Sequence, residues 1–193
     1  MEQAADQLDI AAIVNGDSKE FAKLVDMYKV MVFTIAQRMM KNREEAEEVS
    51  QDSFIKVYRS LKKFKGDSRL STWIYRITYN TCLDRIKKYQ KEQGNIPIEE
   101  VNGQAVAEMG NALKEMELKE RSLMVKNCIE KLSSSDAAIL TLFYLEERDL
   151  KELAKILGLT VNTAKVRLFR ARTRLAVILR KEMEPETISS YEG

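Results

Sequence analysis

Residues 149–179 read DLKELAKILGLTVNTAKVRLFRARTRLAVIL, two short helical patterns hinged at Gly158, the second of them unusually basic. Asp149 with Glu152 three residues on predicts a capping box opening the first helix. Gly158 can take the left-handed conformation that closes it, and Thr160 can cap the next. The second pattern carries Lys165, Arg167, Arg170, Arg172, Arg174, Arg180 and Lys181, with no acidic residue between Thr160 and Lys181. This is the pattern of a helix-turn-helix whose second helix suits a polyanion. At about 100° per residue, Ala164, Leu168, Ala171 and Leu175 share one side, and Asn162, Val166, Phe169, Arg170 and Thr173 the opposite one. The first set is predicted core and the second is predicted to face solvent. Phenylalanine and valine have no folding role on a solvated face, whereas a thymine methyl in a major groove would give them one. The competing reading lays the Phe169 ring over a neighbouring helix.

Around this segment lies a chain of 193 residues, 45% hydrophobic and 32% charged, which allows one domain or two small ones. Two prolines, Pro97 and Pro185, and seven glycines leave long stretches free to be helical, and the expectation is an all-α protein. Cys82 and Cys128 are far apart and histidine is absent, so neither a disulfide framework nor a Cys/His zinc site is suggested. Both cysteines are read as helix-packing residues. Without histidine, a Gly-rich phosphate loop, a nucleophile elbow or metal-spaced carboxylates, an enzyme is disfavoured, and no metal or cofactor is expected. No apolar run approaches the roughly 18 residues that span a bilayer, and MEQAADQLDI lacks the segments of an export signal. The expected compartment is the cytoplasm, without direct membrane insertion. The formal charge of +2 averages blocks of opposite sign.

The blocks define the organisation. A short helix ends near Gly16. Asp17 and Glu20 predict another capping box ahead of Phe21, Leu24, Tyr28, Met31, Val32, Ile35 and Met39 at helical spacing. A second long helix is expected over about Glu44 to Lys63, with Ala46, Val49, Ser53, Val57, Leu61 and Phe64 turned inward, and a third over about Ser71 to Gln90. Residues 92–122 read as an acidic linker, whose part from Asn111 onward could be helical. Ser133 with Asp136 predicts a capping box before AAILTLFYL, an apolar helix that offers a core to the helix-turn-helix. Domains are therefore expected at 1–91 and 123–183, followed by a flexible tail at 184–193.

Two faces in the first domain carry chemistry. Glu44, Glu45, Glu47, Glu48 and Asp52 crowd the start of one helix without an intervening cation. Stabilisation of the helix dipole explains some of this. Ile55 among Glu48, Gln51 and Asp52 points equally to a seam for a partner helix. On the next helix Trp73, Arg76, Asn80 and Lys87 oppose Leu70, Ile74, Ile77 and Thr81. An aromatic plane, an amide and cations can stack on, hydrogen-bond and neutralise an unpaired strand, although a lone tryptophan is often simply packing. Lys56, Arg59, Lys62, Lys63, Lys65 and Arg69 precede this face, and Arg85, Lys87, Lys88 and Lys91 accompany it.

Taken in order, AEEVSQDSFIKVY from Ala46, FKGDSRLSTWIYRITYNTCLDRIKK from Phe64, the acidic linker and DLKELAKILGLTVNTAKVRLFRAR from Asp149 resemble the sigma-70-type initiation factors of bacteria, in their extracytoplasmic-function group. The resemblance covers about Asp17 to Gln90 and Val125 to Arg180. It implies a transcription initiation factor that binds core RNA polymerase and reads the minus-ten and minus-thirty-five promoter elements. Glu45, Glu48, Gln51, Asp52 and Ile55 would dock on the clamp coiled coil of the largest subunit, with further contact to the flap of the second largest. Lys65, Gly66, Asp67, Ser68, Arg69, Trp73, Arg76, Asn80 and Asp84 would read the minus-ten element, the loop Gly66 to Arg69 pocketing a flipped base and Arg38 helping to hold the strand. Asn162, Lys165, Val166, Arg167, Phe169 and Arg170 would enter the major groove of the minus-thirty-five element. Here Ala164-Lys165-Val166-Arg167 departs from the common TVKSR pattern, which lacks its serine in this chain. The linker would thread toward the RNA exit path, and an anti-sigma factor would hold the free protein. The rival readings are a self-sufficient dimeric operator-binding regulator and a nucleic-acid enzyme that borrows the module for targeting.

Overall fold

A computed structural model describes residues 8–40, 42–93 and 118–183, and among them every regular element is helical. The first half holds α1 (Ile10–Val14), α2 (Ser18–Met40), α3 (Arg43–Ser60), a 3-10 turn (Leu61–Lys63) and α4 (Leu70–Gln93). The second holds α5 (Leu118–Glu130), α6 (Ser134–Leu140), a π turn (Thr141–Leu145), α7 (Leu150–Leu157) and α8 (Val161–Met183). The segment read as an acidic linker lies mostly outside the described residues, as does the tail at 184–193; α5 begins at Leu118, inside the range read as linker. No described helix is long and apolar enough to cross a membrane.

Helix starts follow the caps. Asp17 accepts from the N–H groups of Lys19 and Glu20 at 2.8 and 3.1 Å, Ser133 from Asp136 at 3.2 Å, and Asp149 from Lys151 and Glu152 at 2.7 and 2.8 Å. The reciprocal half of each expected box is used elsewhere: Glu20 pairs with Lys23, Asp136 with Arg174, and Glu152 with Thr72. For Glu20 and Asp136 the competing partner is a cation, whose bond to a carboxylate is charged on both sides. Asn42 caps α3, accepting from Glu44 N–H at 2.9 Å, a cap that the sequence reading passed over. Gly158 closes α7 at φ 67°, in the left-handed region where glycine carries no Cβ penalty.

In the first half α2, α3 and α4 pack on one another and bury Leu24, Tyr28, Met31, Val32, Ile35 and Met39 against Ala46, Val49, Val57 and Leu61. Ser53, an inward position on α3, is satisfied by donating to the Val49 carbonyl at 2.7 Å. In the second half α8 lies across α5, α6 and α7, with Ala164, Leu168 and Ala171 buried as the wheel requires. Thr173 is a correction: expected on the solvent side, it is buried and donates to the Phe169 carbonyl at 3.1 Å, because α5 and α6 pack along the later turns of α8. The apolar run after Asp136 also divides. Its regular helix ends at Leu140, and the π turn leaves Tyr144 and Leu145 exposed.

The two halves meet. α2 packs on α6 and α4 on α7, and the buried side chains form one continuous apolar cluster across the seam. Ser134 donates to the Met39 carbonyl at 2.6 Å, and Arg38 pairs with Glu130 at 2.7 Å. Tyr75, fully buried, donates its hydroxyl to Glu146, and the Arg148 guanidinium lies 5.3 Å from the centre of its ring. Burial first and the bond to Glu146 second hold the Tyr75 hydroxyl well above its ordinary pKa, so it remains a donor.

Candidate functional site

The loop between the 3-10 turn and α4 forms a cleft of about 300 Å³ lined by Lys63, Phe64, Lys65, Asp67, Ser68, Thr72, Trp73 and Arg76, together with Lys155 from α7. Gly66 turns the loop at φ 77°, a conformation that an L side chain rarely adopts. Five of the residues expected to read the minus-ten element thus share one lining. Phe64 is an addition. Its ring lies 5.4 Å from that of Trp73, tilted by 52°, so the half-buried tryptophan is braced on one side while still lining the cleft. A second groove, of about 420 Å³, brings Asn80 together with Lys56, Arg59, Ser60, Lys63, Ile77 and Thr81. Asp84 is ion-paired with Lys56 at 3.5 Å. Arg38 is not part of either lining; its side chain is 14% exposed and faces Glu130.

The second half covers part of this loop. Lys155 donates to the Asp67 carbonyl at 3.1 Å, and Arg69 lies 3.7 Å from Glu152. A neighbouring cleft is lined by Ser68, Arg69 and Thr72 on one side and by Asp149, Lys151, Glu152 and Lys155 on the other.

On α8 the residues assigned to the major groove are all exposed: Asn162, Lys165, Val166, Arg167, Phe169 and Arg170. Phe169 is 54% exposed and Val166 44%, so the ring does not lie over a neighbouring helix. The basic series on this helix is not one population. Arg172 turns back over Phe143 and Tyr144, 5.2 and 5.3 Å from their ring centres, and Arg174 makes two bonds to Asp136 at 3.0 and 3.2 Å. These two arginines fasten the helix, leaving its first half as the outward cationic and apolar face.

On α3 the stripe Glu48, Gln51, Asp52 and Ile55 is exposed, with Ile55 at 48%, while Glu45 sits deeper. Its carboxylates converge on Arg85 of α4, whose guanidinium reaches Glu48 at 2.9 Å, Asp52 at 3.2 Å and Glu45 at 3.4 Å. Tyr89, one turn on, donates its hydroxyl to Glu45. Arg85 is therefore turned to α3 and does not belong with the cations expected to accompany the Trp73 and Arg76 face.

The chain matches the family described as Sigma-70 region 2 over residues 24–92 and that described as Sigma-70, region 4 over residues 122–175. It is 32% identical over 178 residues to the ECF RNA polymerase sigma factor SigW of Bacillus subtilis, covering 89% of this chain and 95% of that protein. It is 35% identical over 181 residues to the ECF RNA polymerase sigma-E factor of Escherichia coli K12, covering 89% and 92%. Among solved structures, the sigma factor RpoE of Bartonella quintana in complex with the anti-sigma factor NepR superposes with a TM-score of 0.63 at 21% identity, over 84% of this chain and 98% of that one. CnrH in complex with the cytosolic domain of CnrY gives 0.61 at 21% identity, over 92% and 99%. These two likenesses bear on the fold.

Proposed function

The chain belongs to the sigma-70 family, in its extracytoplasmic-function group, and from that premise we propose how its faces divide the work of a factor that binds core RNA polymerase and directs it to promoters. The acidic stripe Glu45, Glu48, Gln51, Asp52 and Ile55 docks on the clamp coiled coil of the largest subunit. The Gly66 to Arg69 loop, with Lys65, Trp73 and Arg76, takes an unstacked base of the minus-ten element; Asn80 and Asp84 lie farther along the same helix, and Arg38 approaches the strand once released from Glu130. Asn162, Lys165, Val166, Arg167, Phe169 and Arg170 enter the major groove of the minus-thirty-five element, and the second half also meets the flap of the second-largest subunit. The free protein is a partner for an anti-sigma factor. Its chemistry is recognition: phosphate contacts set position and base contacts set choice.

The observation that carries this reading is the six-residue outward face of α8, where Val166 and Phe169 stand exposed among cations on a helix held from behind by Arg172 and Arg174. An operator-binding dimer is not favoured, since the first half matches region 2 of a polymerase factor. Charge reversal of Asp52 with Ile55→Ala tests the docking assignment: core polymerase should no longer be retained in a pull-down, with helicity unchanged. Undiminished retention would defeat it.

The reading carries a geometric requirement. Elements named minus-ten and minus-thirty-five lie about 25 base pairs apart, roughly 85 Å of duplex at 3.4 Å per pair. A compact chain of this length has a radius of gyration of only about 16 Å. The halves therefore part at the Thr72–Glu152, Tyr75–Glu146 and Lys155–Asp67 contacts before both elements are read on one duplex. Residues 94–117, fully extended, reach roughly 80 Å, which together with the width of the two halves covers that separation.

A further inference from the structure

We propose that Arg85 is a positioning residue for polymerase docking, holding the carboxylates of Glu48 and Asp52 in the geometry that a basic helix of the partner meets. The proposal rests on the docking role given above to the α3 stripe and extends it to a residue on a different helix, thirty-three positions beyond Asp52.

Glu45, Glu48 and Asp52 sit at helical spacing on one side of α3, where like charges repel. A single guanidinium, 22% exposed, reaches all three at 3.4, 2.9 and 3.2 Å, dividing its two terminal nitrogens between them. Arginine's planar fork suits this task, because its donors leave in fixed directions and it is always charged. On Glu48 and Asp52 the bonds to Arg85 use Oε2 and Oδ2, and no other oxygen of either accepts a hydrogen bond among the described residues. Both side chains are more than half exposed, so each is anchored by one oxygen while the stripe they share with exposed Ile55 stays open to a partner. The stripe is thus ordered before any partner arrives, which removes part of the ordering penalty of association. Tyr89 adds a second tether, at Glu45. The same helix, α4, carries Trp73 and Arg76 three turns earlier, so the docking stripe and the strand-reading cleft share one rigid support.

A purely structural role, tying α3 to α4, would lower thermal stability and leave docking kinetics alone. The positioning role acts on kinetics. Purified core RNA polymerase is immobilised and the full chain is passed over it as wild type, Arg85→Ala, Arg85→Lys and Tyr89→Phe, each first checked for native helicity. Loss of the ordering of two side chains should speed dissociation of Arg85→Ala by about 3- to 10-fold. Association should be unchanged or faster, because the stripe gains net negative charge toward a cationic partner. Arg85→Lys keeps the charge but cannot fork, so it should restore less than half of the lost lifetime. Tyr89→Phe, which removes one hydroxyl, should shorten the lifetime about 2-fold, and it decides the matter if Arg85→Ala does not fold. Native dissociation rates in the folded variants, or full restoration by lysine, would overturn the proposal. The charge-reversed Asp52 variant with Ile55→Ala, run alongside, separates the two ideas: if it still binds with native affinity, the docking surface itself is misplaced and the role of Arg85 falls with it.

Discussion

Thr72 donates its hydroxyl to Glu152 at 2.9 Å, joining α4, which lines the cleft at Gly66, to α7, the first helix of the helix-turn-helix. Glu152 thereby serves the seam, with Arg148 and Arg69 each 3.7 Å away, instead of completing the cap of its own helix. The helix-turn-helix half is held against a loop from which, under the proposed reading, it separates.

Thr72→Val removes that donor and leaves a poorly exposed carboxylate one partner short, which costs about 1–3 kcal/mol of the closed arrangement. The free protein should show a larger radius of gyration in X-ray scattering than the wild type. An unchanged radius would mean that the apolar cluster alone holds the seam.

Phe169 and Arg170 separate folding from reading. Phe169 is 54% exposed, so Phe169→Ala should change stability by no more than about 0.5 kcal/mol. Binding of the reconstituted holoenzyme to the upstream element should nevertheless weaken. Arg170→Ala should weaken it by about 1–3 kcal/mol on the preferred sequence if it reads a base, and equally on every sequence if it touches only phosphate.

Asp149 caps α7, and bonds from the backbone N–H groups, that of Glu152 foremost, hold its carboxyl below the usual range. A depressed folded pKa stabilises above the unfolded value and loses that contribution as pH falls through the folded one. Asp149→Ala should cost about 0.5–2 kcal/mol at neutral pH. The difference from wild type in denaturant melts should shrink once the medium is acid enough to protonate the native carboxyl.

Cys82 is fully buried, and burial pushes its thiol up to about 12. A thiol whose pKa is raised on folding favours the native state below the unfolded value, near 9, and that state loses stability as pH climbs from there toward 12. Iodoacetamide at pH 8 should therefore spare Cys82 in the native protein and label it after denaturation, as mass spectrometry of the peptides would show.

The helices and their inward faces were legible because periodicity is a local property: Leu24 to Met39 on α2 and Ala164 to Ala171 on α8 are buried as their spacing requires. So was the turn at Gly158, where one residue type answers one conformation. The destinations of long polar side chains were not legible. Arg85 reads as one more cation in a basic stretch until α3 is placed beside it, and Arg172 and Arg174 as two more cations of a helix suited to a polyanion until α6 and the π turn supply Asp136, Phe143 and Tyr144. A helical wheel knows its own helix alone, which is also why Thr173 was misplaced. Likewise, five of the expected minus-ten residues share one cleft, whereas Arg38 is turned to Glu130, a partner ninety-two positions away.

Reconstituted transcription tests the central claim most directly. Purified chain and core RNA polymerase are combined on a library of promoter sequences, and the start sites are mapped. The account predicts starts that require this chain and lie at a fixed distance downstream of two shared sequence elements, and that are lost when Asp52 is charge-reversed with Ile55→Ala. Starts indifferent to the chain, or chain-dependent starts without a shared upstream element, would contradict it.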